Sequence, residues 1–147
     1  MKKLILSLVV VSMSISAFGQ IKMVEDKSVE IGYMKYPGMS KNATITMYED
    51  SSYSFMYKDI QYRQITDFKS FQFTGSNTLD LFYEILMVRF QAPKNSEVEV
   101  EVGNARITIQ TKKMLGMPYL YLYIKADGEP MGLFSIEPKH MDKMFGK

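Results

Sequence analysis

The side chains that most often carry nucleophilic or acid–base catalysis are scarce in this 147-residue sequence. It contains no cysteine and a single histidine, His140, which lies in a short segment near the C-terminus. It has neither a G-x-S-x-G nucleophile turn nor a glycine-rich phosphate-binding loop. We therefore interpret His140 as a solvated surface residue and predict that the protein is not an enzyme.

Carboxylates offer the remaining route to catalysis. Glu97, Glu99 and Glu101 alternate with valines, so they share one face of a predicted strand, about 7 Å apart between neighbours. Such a row does acid–base work only inside a cleft, whereas on an open edge strand it prevents pairing with other chains. The second interpretation is simpler, and a carboxylate-based hydrolase is the least favoured function.

Methionine is frequent, with 13 residues in the chain. Thioether sulfur suits Cu(I), and His140, Met141 and Met144 lie within about one helical turn of each other. Methionine also fills irregular space in hydrophobic cores, and Met141 and Met144 supply the apolar face that a short helix needs. We predict no metal site and no cofactor, with these three residues as a remote alternative.

The most distinctive feature is the tyrosine stripe, Tyr119, Tyr121 and Tyr123, in a segment that alternates tyrosine with aliphatic residues. Alternation places the three rings on one strand face, and the expected pairing with the next strand adds Phe134 to it. Exposed, this face would bind a peptide, a glycan or a partner surface. We expect it to be partly covered and mainly structural, with these four residues as the candidate binding site.

One helix, predicted at residues 78–91, organises the expected fold. Asn77 is its predicted N-cap, and Pro93 prevents its continuation. Apolar residues recur at helical spacing and others widen their face: Leu79, Phe82, Tyr83, Leu86 and Phe90, flanked by Leu81, Ile85 and Val88. So much apolar surface requires a sheet beneath it. The apolar residues that do not face this sheet are expected to pack on a second surface or to line a pocket.

The sequence before this helix predicts strands at 28–36, 43–49, 53–58 and about 68–74. A three-residue loop at 50–52 sets Met47 opposite Phe55, so that apolar residues face each other. The loop lacks the glycine that such loops usually contain.

After the helix, turn signals define two hairpins. Gly103-Asn104 pairs Val100 with Ile107 and Val98 with Ile109, and on the other face Glu101 with Arg106.

The second turn, Asp127-Gly128, pairs Leu122 with Leu133, places Tyr123 over Gly132 and puts Tyr121 beside Phe134. Residues 112–118 are expected to form a loop between the two hairpins. The last segment, 138–145, is predicted as a short helix.

These elements predict an α+β fold. A mainly antiparallel sheet of about 7–9 strands packs against the helix at 78–91, and the short helix at 138–145 ends the chain. The aliphatic side chains of the strands after the helix are its expected floor.

Residues 1–19 have the form of a secretory signal peptide, with Lys2 and Lys3 before a short apolar run and Ala17 and Gly19 at the small-residue positions. The run is shorter than the roughly 20 residues of a transmembrane helix. The rest of the chain contains no apolar stretch long enough to span a membrane. We therefore expect export to the periplasm or the medium and a single domain at 20–147.

The charge balance argues against a nucleic-acid partner. The chain has 18 basic and 16 acidic residues, and loss of Lys2 and Lys3 with the signal peptide leaves equal numbers. A neutral chain has no electrostatic footprint for nucleic acid. Without cysteine there are no disulfides, so the fold depends on its core.

Together these features predict an exported, non-catalytic binding or interaction protein of the bacterial cell envelope, whose partner is an unknown protein or envelope component. The alternative is a carrier that holds a small apolar ligand in a cavity between sheet and helix. A filled core with an exposed tyrosine face favours the first, and an enclosed pocket favours the second.

Overall fold

The computed structural model describes residues 27–62 and 64–147, so the predicted signal peptide at 1–19 lies outside the described residues. These residues form an α+β fold of two four-stranded antiparallel sheets and two helices. The eight strands of the described residues are within the predicted range. The prediction of one sheet is wrong, because each half of the chain closes its own meander before the helix that follows.

The first sheet contains β1 (Val29–Lys35), β2 (Lys41–Met47), β3 (Ser52–Asp59) and β4 (Asp67–Thr74), in that order. Helix α1 (Ser76–Arg89) leads to the second sheet, which contains β5 (Glu97–Val102), β6 (Ala105–Met114), β7 (Met117–Ala126) and β8 (Gly132–Ile136). A 3-10 turn (Pro138–His140) then continues into helix α2 (Met141–Phe145).

Helix α1 begins two residues earlier than the sequence predicts. Gly75 is the N-cap with φ 87°, and no side chain caps the helix, so Asn77 lies in the first turn instead. The buried positions Leu79, Phe82 and Leu86 are as predicted. Further apolar residues of the helix, including Leu81 and Val88, are exposed, and no second surface covers them among residues 27–62 and 64–147.

Aromatic rings connect the two sheets and both helices. The ring centroid of Phe82 in α1 lies 6.1 Å from that of Phe55 in β3 and 5.8 Å from that of Phe145 in α2. From the second sheet, Phe134 approaches Phe55 to 5.8 Å. The floor of α1 therefore includes the first sheet as well as β6, whereas the sequence suggested only the strands after the helix.

The β5–β6 hairpin has the predicted register. Val100 pairs with Ile107, and Glu101 with Arg106 across the outer face. Alternation and a two-residue turn fix this register locally, so the register could be predicted from the sequence.

The β2–β3 loop has the predicted length but begins one residue earlier, as the hydrogen bond from Tyr48 N to Ser52 O shows. Ile45, rather than Met47, therefore faces Phe55. The pairing moves by two residues, so the same face stays buried. Ser51 takes the left-handed position with φ 63° that glycine usually fills.

The predicted register of the β7–β8 hairpin is wrong by one residue. Leu122 pairs with Phe134, and Tyr123 with Leu133. Gly132 faces the core, where an added Cβ would lie 2.3 Å from the hydroxyl oxygen of Tyr57. The ring that covers this glycine comes from the first sheet rather than from the neighbouring strand, and it fixes which residues of β8 point inward.

The predicted loop at 112–118 is also wrong, because β6 and β7 continue through most of it. Lys112 pairs with Tyr119, and Met114 with Met117. Only Leu115 and Gly116 lie between the two strands.

Helix α2 docks closely on β1. Its residues Met141, Met144 and Phe145 are buried, as predicted. Gly32 of β1 lies beneath the helix, and a Cβ there would be 2.1 Å from the carbonyl oxygen of Lys143. Position 32 therefore has to be glycine for the helix to lie this close.

A buried ion pair joins the first sheet to β8. The side chain of Asp59 is 0% exposed and accepts a hydrogen bond of 2.6 Å from Lys69 Nζ. Its other oxygen accepts from the N–H groups of Gln61 and Leu133, and Lys69 also donates to the carbonyl of Met131. Burial by itself would raise the pKa of Asp59, but these hydrogen bonds and the Lys69 charge outweigh it and lower that pKa.

Replacing Gly32 with Ala should lower the free energy of unfolding by about 3 kcal/mol, because the added methyl meets backbone atoms that cannot yield easily. Gly38→Ala is the control, because Gly38 has φ 74° and open space around it. It should cost only about 1 kcal/mol for the left-handed backbone. Urea denaturation measures both, and equal losses would contradict the close approach.

The lowered pKa of Asp59 makes the fold sensitive to acid. The folded state favours the carboxylate, so this stabilisation is complete above the unfolded pKa of about 4 and is lost as pH falls through the folded pKa. Asp59→Asn should lower the free energy of unfolding at neutral pH by about 3 kcal/mol. In urea titrations across acidic pH, the variant should lose stability less steeply than the parent; equal slopes would show that other carboxylates control the acid response.

Candidate binding site on the outer face of the second sheet

The tyrosine stripe lies on the outer face of the second sheet. Tyr119, Tyr121 and Tyr123 are half-buried, while the aliphatic residues between them are fully buried. The predicted partial cover of the stripe is therefore confirmed. β7 has β6 and β8 on its two sides, so neighbouring strands flank the stripe on both edges.

The rings support each other edge to face. The centroids of Tyr119 and Tyr121 are 5.3 Å apart with an interplanar angle of 74°, and those of Tyr121 and Tyr123 are 6.5 Å apart at 82°. Such contacts restrict ring rotation, so the stripe is an ordered surface. Burial, with a smaller effect of Tyr121, raises the pKa of Tyr119, and its hydroxyl keeps its proton at neutral pH.

Phe134 does not share this face. The residues of β8 that flank the stripe are Leu133, opposite Tyr123, and Ser135, opposite Tyr121. Phe134 is 1% exposed and contacts Phe55 in the core. Its predicted place in the stripe is wrong because the one-residue change of register moves every residue of β8 to the other face.

A groove of about 420 Å³ runs beside Tyr119 and Tyr121 and is open to solvent. One wall is the end of the β6–β7 hairpin, and the other is the chain that leaves β8. Its lining is mostly apolar and includes Met114, Met117, Pro118, Ile136 and Pro138.

An ion pair and a phenol set the polarity of one wall of the groove. Glu137 accepts a hydrogen bond of 3.3 Å from the Tyr36 hydroxyl and forms a 2.7 Å ion pair with Lys139. The hydrogen bond with Lys139 holds the pKa of Glu137 below its ordinary value. The groove therefore combines an apolar lining with one fixed, internally compensated pair of charges.

The turn beside the groove, residues 114–117, is here named the hairpin tip. Met114, Leu115 and Met117 are 62%, 94% and 64% exposed. Sequence reasoning missed this feature because it treated the segment as an ordinary loop. The available signal was Met-Leu-Gly-Met itself, which contains none of the polar residues that normally fill an exposed turn.

His140 is not the solvated residue that the sequence suggested. Its ring packs edge-on against Tyr36 with centroids 5.1 Å apart, and its Nε2 is buried without a hydrogen-bond partner among the described residues. Burial, followed by the charge of Lys139, lowers the pKa of His140. The ring is therefore a neutral packing element at neutral pH.

Met141 and Met144, the other residues of the remote copper alternative, are 0% exposed and belong to the core. Over residues 27–62 and 64–147, no three or more acidic or histidine side chains cluster in a way that could hold a metal ion.

The row of glutamates lies on β5, at one end of the second sheet. Glu99 and Glu101 are exposed and lie 3.5 and 2.9 Å from Arg106 on the adjacent strand. Glu97 is exposed as well. This arrangement suits a solvated face that blocks edge-to-edge pairing.

No protein-family model matches this sequence, and no curated protein or solved structure is significantly similar to it. Within the part of the chain that the structure describes, the helices are too short or too polar to cross a membrane.

The two faces of the second sheet should respond differently to truncation. Tyr121→Ser should cost at most about 1 kcal/mol of unfolding free energy, because the ring is half-solvated and lies on the outer face of the sheet. Phe134→Ala should cost about 4 kcal/mol, because it empties a site in the aromatic core. Thermal and urea denaturation measure both, and similar losses would place both residues in one core.

Proposed function

We propose that the protein is an exported, non-catalytic binding protein of the bacterial cell envelope that holds its partner in the groove beside Tyr119 and Tyr121. One observation carries the proposal: two half-buried tyrosines, Tyr119 and Tyr121, line an open apolar groove whose end is an exposed apolar turn. The signal-peptide pattern at residues 1–19 supports the exported location.

The positions of the ionisable groups support binding rather than catalysis. Asp59 is fully engaged with Lys69 and backbone N–H groups in the core. The imidazole Nε2 of His140 is buried. The exposed acids of β5 face solvent and Arg106, so these groups do not meet in a cleft as a general acid and base would.

The chemistry of the groove favours a chain-like partner with apolar side chains. Apolar groups would lie along Met114, Met117 and Ile136, while the hydroxyls of Tyr119 and Tyr121 reach the polar atoms of a bound backbone or sugar. Tyrosine is common among the residues that dominate binding energy, because it buries a large area with few rotatable bonds. A peptide segment of an envelope protein has the shape and polarity that this groove accepts.

The carrier alternative has less support. The region between α1 and the sheets, where the sequence suggested a cavity, contains the rings of Phe55, Phe71, Phe82 and Phe145, with centroid separations of 5.0 to 6.2 Å. The groove lies on the opposite side of the second sheet and opens to solvent.

Site-specific photo-crosslinking in intact cells tests this proposal. A benzophenone-bearing phenylalanine at position 121 should give one or a few discrete crosslinked products, and Tyr119→Ser should remove them. The matched control is the same probe at Tyr48, a 39% exposed tyrosine on the first half of the chain. Identical products at both positions, or none at position 121, would contradict a binding site in the groove.

A further inference from the structure

The hairpin tip has a residue that its turn type disfavours, and the same residue is a large apolar side chain exposed to solvent. A two-residue hairpin turn with positive φ at both central residues strongly prefers Asn-Gly. Here the first position is Leu115, with φ 51°, followed by Gly116, with φ 81°. A leucine is strained in this conformation, and at 94% exposure it gains no burial in return. The folded state alone does not account for leucine at this position, and such departures are typical of functional sites.

The tip also projects beyond the strands on either side. β5 pairs with β6 as far as Gln110, and the chain before β5 continues this pairing to Thr111 through Ser96 and Asn95. β8 pairs with β7 only as far as Leu120. The register pairs from Lys112 to Met114 continue past both neighbours. They add about 10 Å of two-stranded ribbon before the turn. The exposed apolar residues are therefore carried outward from the sheet.

Basic side chains surround the base of this projection. Lys113 is exposed on β6, and the neighbouring Lys112 donates a hydrogen bond of 3.2 Å to Asn95 in the adjacent loop, where Lys94 is also exposed. The carboxylate of the groove, Glu137, is already compensated by its ion pair with Lys139. The base of the projection is therefore a positively charged zone behind an apolar end.

We propose that the hairpin tip inserts into the surface of an anionic lipid bilayer and holds the protein there peripherally. A projection of about 10 Å matches the depth to which interfacial elements enter the headgroup and acyl boundary. The lysines at its base then lie level with lipid phosphates, and Tyr119 lies at the interface that tyrosine prefers. A convex tip of leucine and flexible methionines fits a deformable lipid surface better than a shaped protein pocket.

This inference rests on the proposed function, because the tip and the groove share one face of the protein. Docking by the tip would leave Tyr121, further along β7, beside the membrane surface and accessible to a membrane-associated partner. The two roles share Met114, Met117 and Tyr119. Leu115 belongs to membrane docking alone and Tyr121 to partner binding alone, so substitutions at these two positions test the roles separately.

Co-sedimentation with lipid vesicles tests the inference on the protein purified from the cell envelope. Binding should be strong with vesicles that contain phosphatidylglycerol and weak with phosphatidylcholine alone. Leu115→Asn should weaken binding about tenfold or more through lost apolar contact. Lys112→Glu with Lys113→Glu should weaken it further, and added salt should weaken binding of the parent.

The melting temperature of Leu115→Asn is a second measurement, and it shows whether lost vesicle binding is due to misfolding. Asparagine tolerates a left-handed backbone, so this variant should melt at a slightly higher temperature than the parent while it loses vesicle binding. Leu81→Asn, which removes an exposed leucine from α1, is the matched control and should bind vesicles like the parent.

Unchanged vesicle binding in Leu115→Asn would overturn the inference, as would equal binding to neutral and anionic vesicles. Absence of binding to both would also overturn it and would assign the tip to a protein contact. Tyr121→Ser should keep vesicle binding. Absence of crosslinked products from the probe at position 121, together with intact membrane docking, would contradict the proposed function alone.

Discussion

The fold depends on one buried carboxylate that holds the two sheets in place. Asp59 ends β3 and accepts hydrogen bonds from Lys69 on β4 and from the backbone of Leu133 on β8. A buried acid without such partners would be strongly destabilising, so the strands that supply them are constrained together. β8 thereby acquires a fixed position against the first sheet, although it belongs to the second.

The position of β8 determines the groove. The chain that leaves β8 forms one wall of it and then continues into α2, which packs on β1 where Gly32 leaves room for its backbone. The opposite wall is the β6–β7 hairpin, held through β7 in the same sheet as β8. The aliphatic face of that sheet is committed to the core, so the tyrosine stripe is left as the face that can meet a partner.

The sequence predicts the parts of this arrangement that local physics determines. The β5–β6 register follows from strict alternation and a two-residue turn, and the buried face of α1 follows from its helical period. The place of Phe134 could not be predicted, because it depends on Tyr57 packing against Gly132 from the other sheet. The pairing of Asp59 with Lys69 is likewise a tertiary contact, and the hairpin tip breaks the turn preferences on which prediction relies.

We propose that the protein binds its partners through the face formed by the hairpin tip and the tyrosine stripe. Hydrogen exchange measures this directly when the protein is compared alone and with membrane vesicles from the cell envelope, which contain both lipids and membrane proteins. Slower exchange over residues 112–121, with unchanged exchange over α1, is the predicted result. Unchanged exchange over 112–121, or protection on the exposed side of α1 instead, would contradict the account.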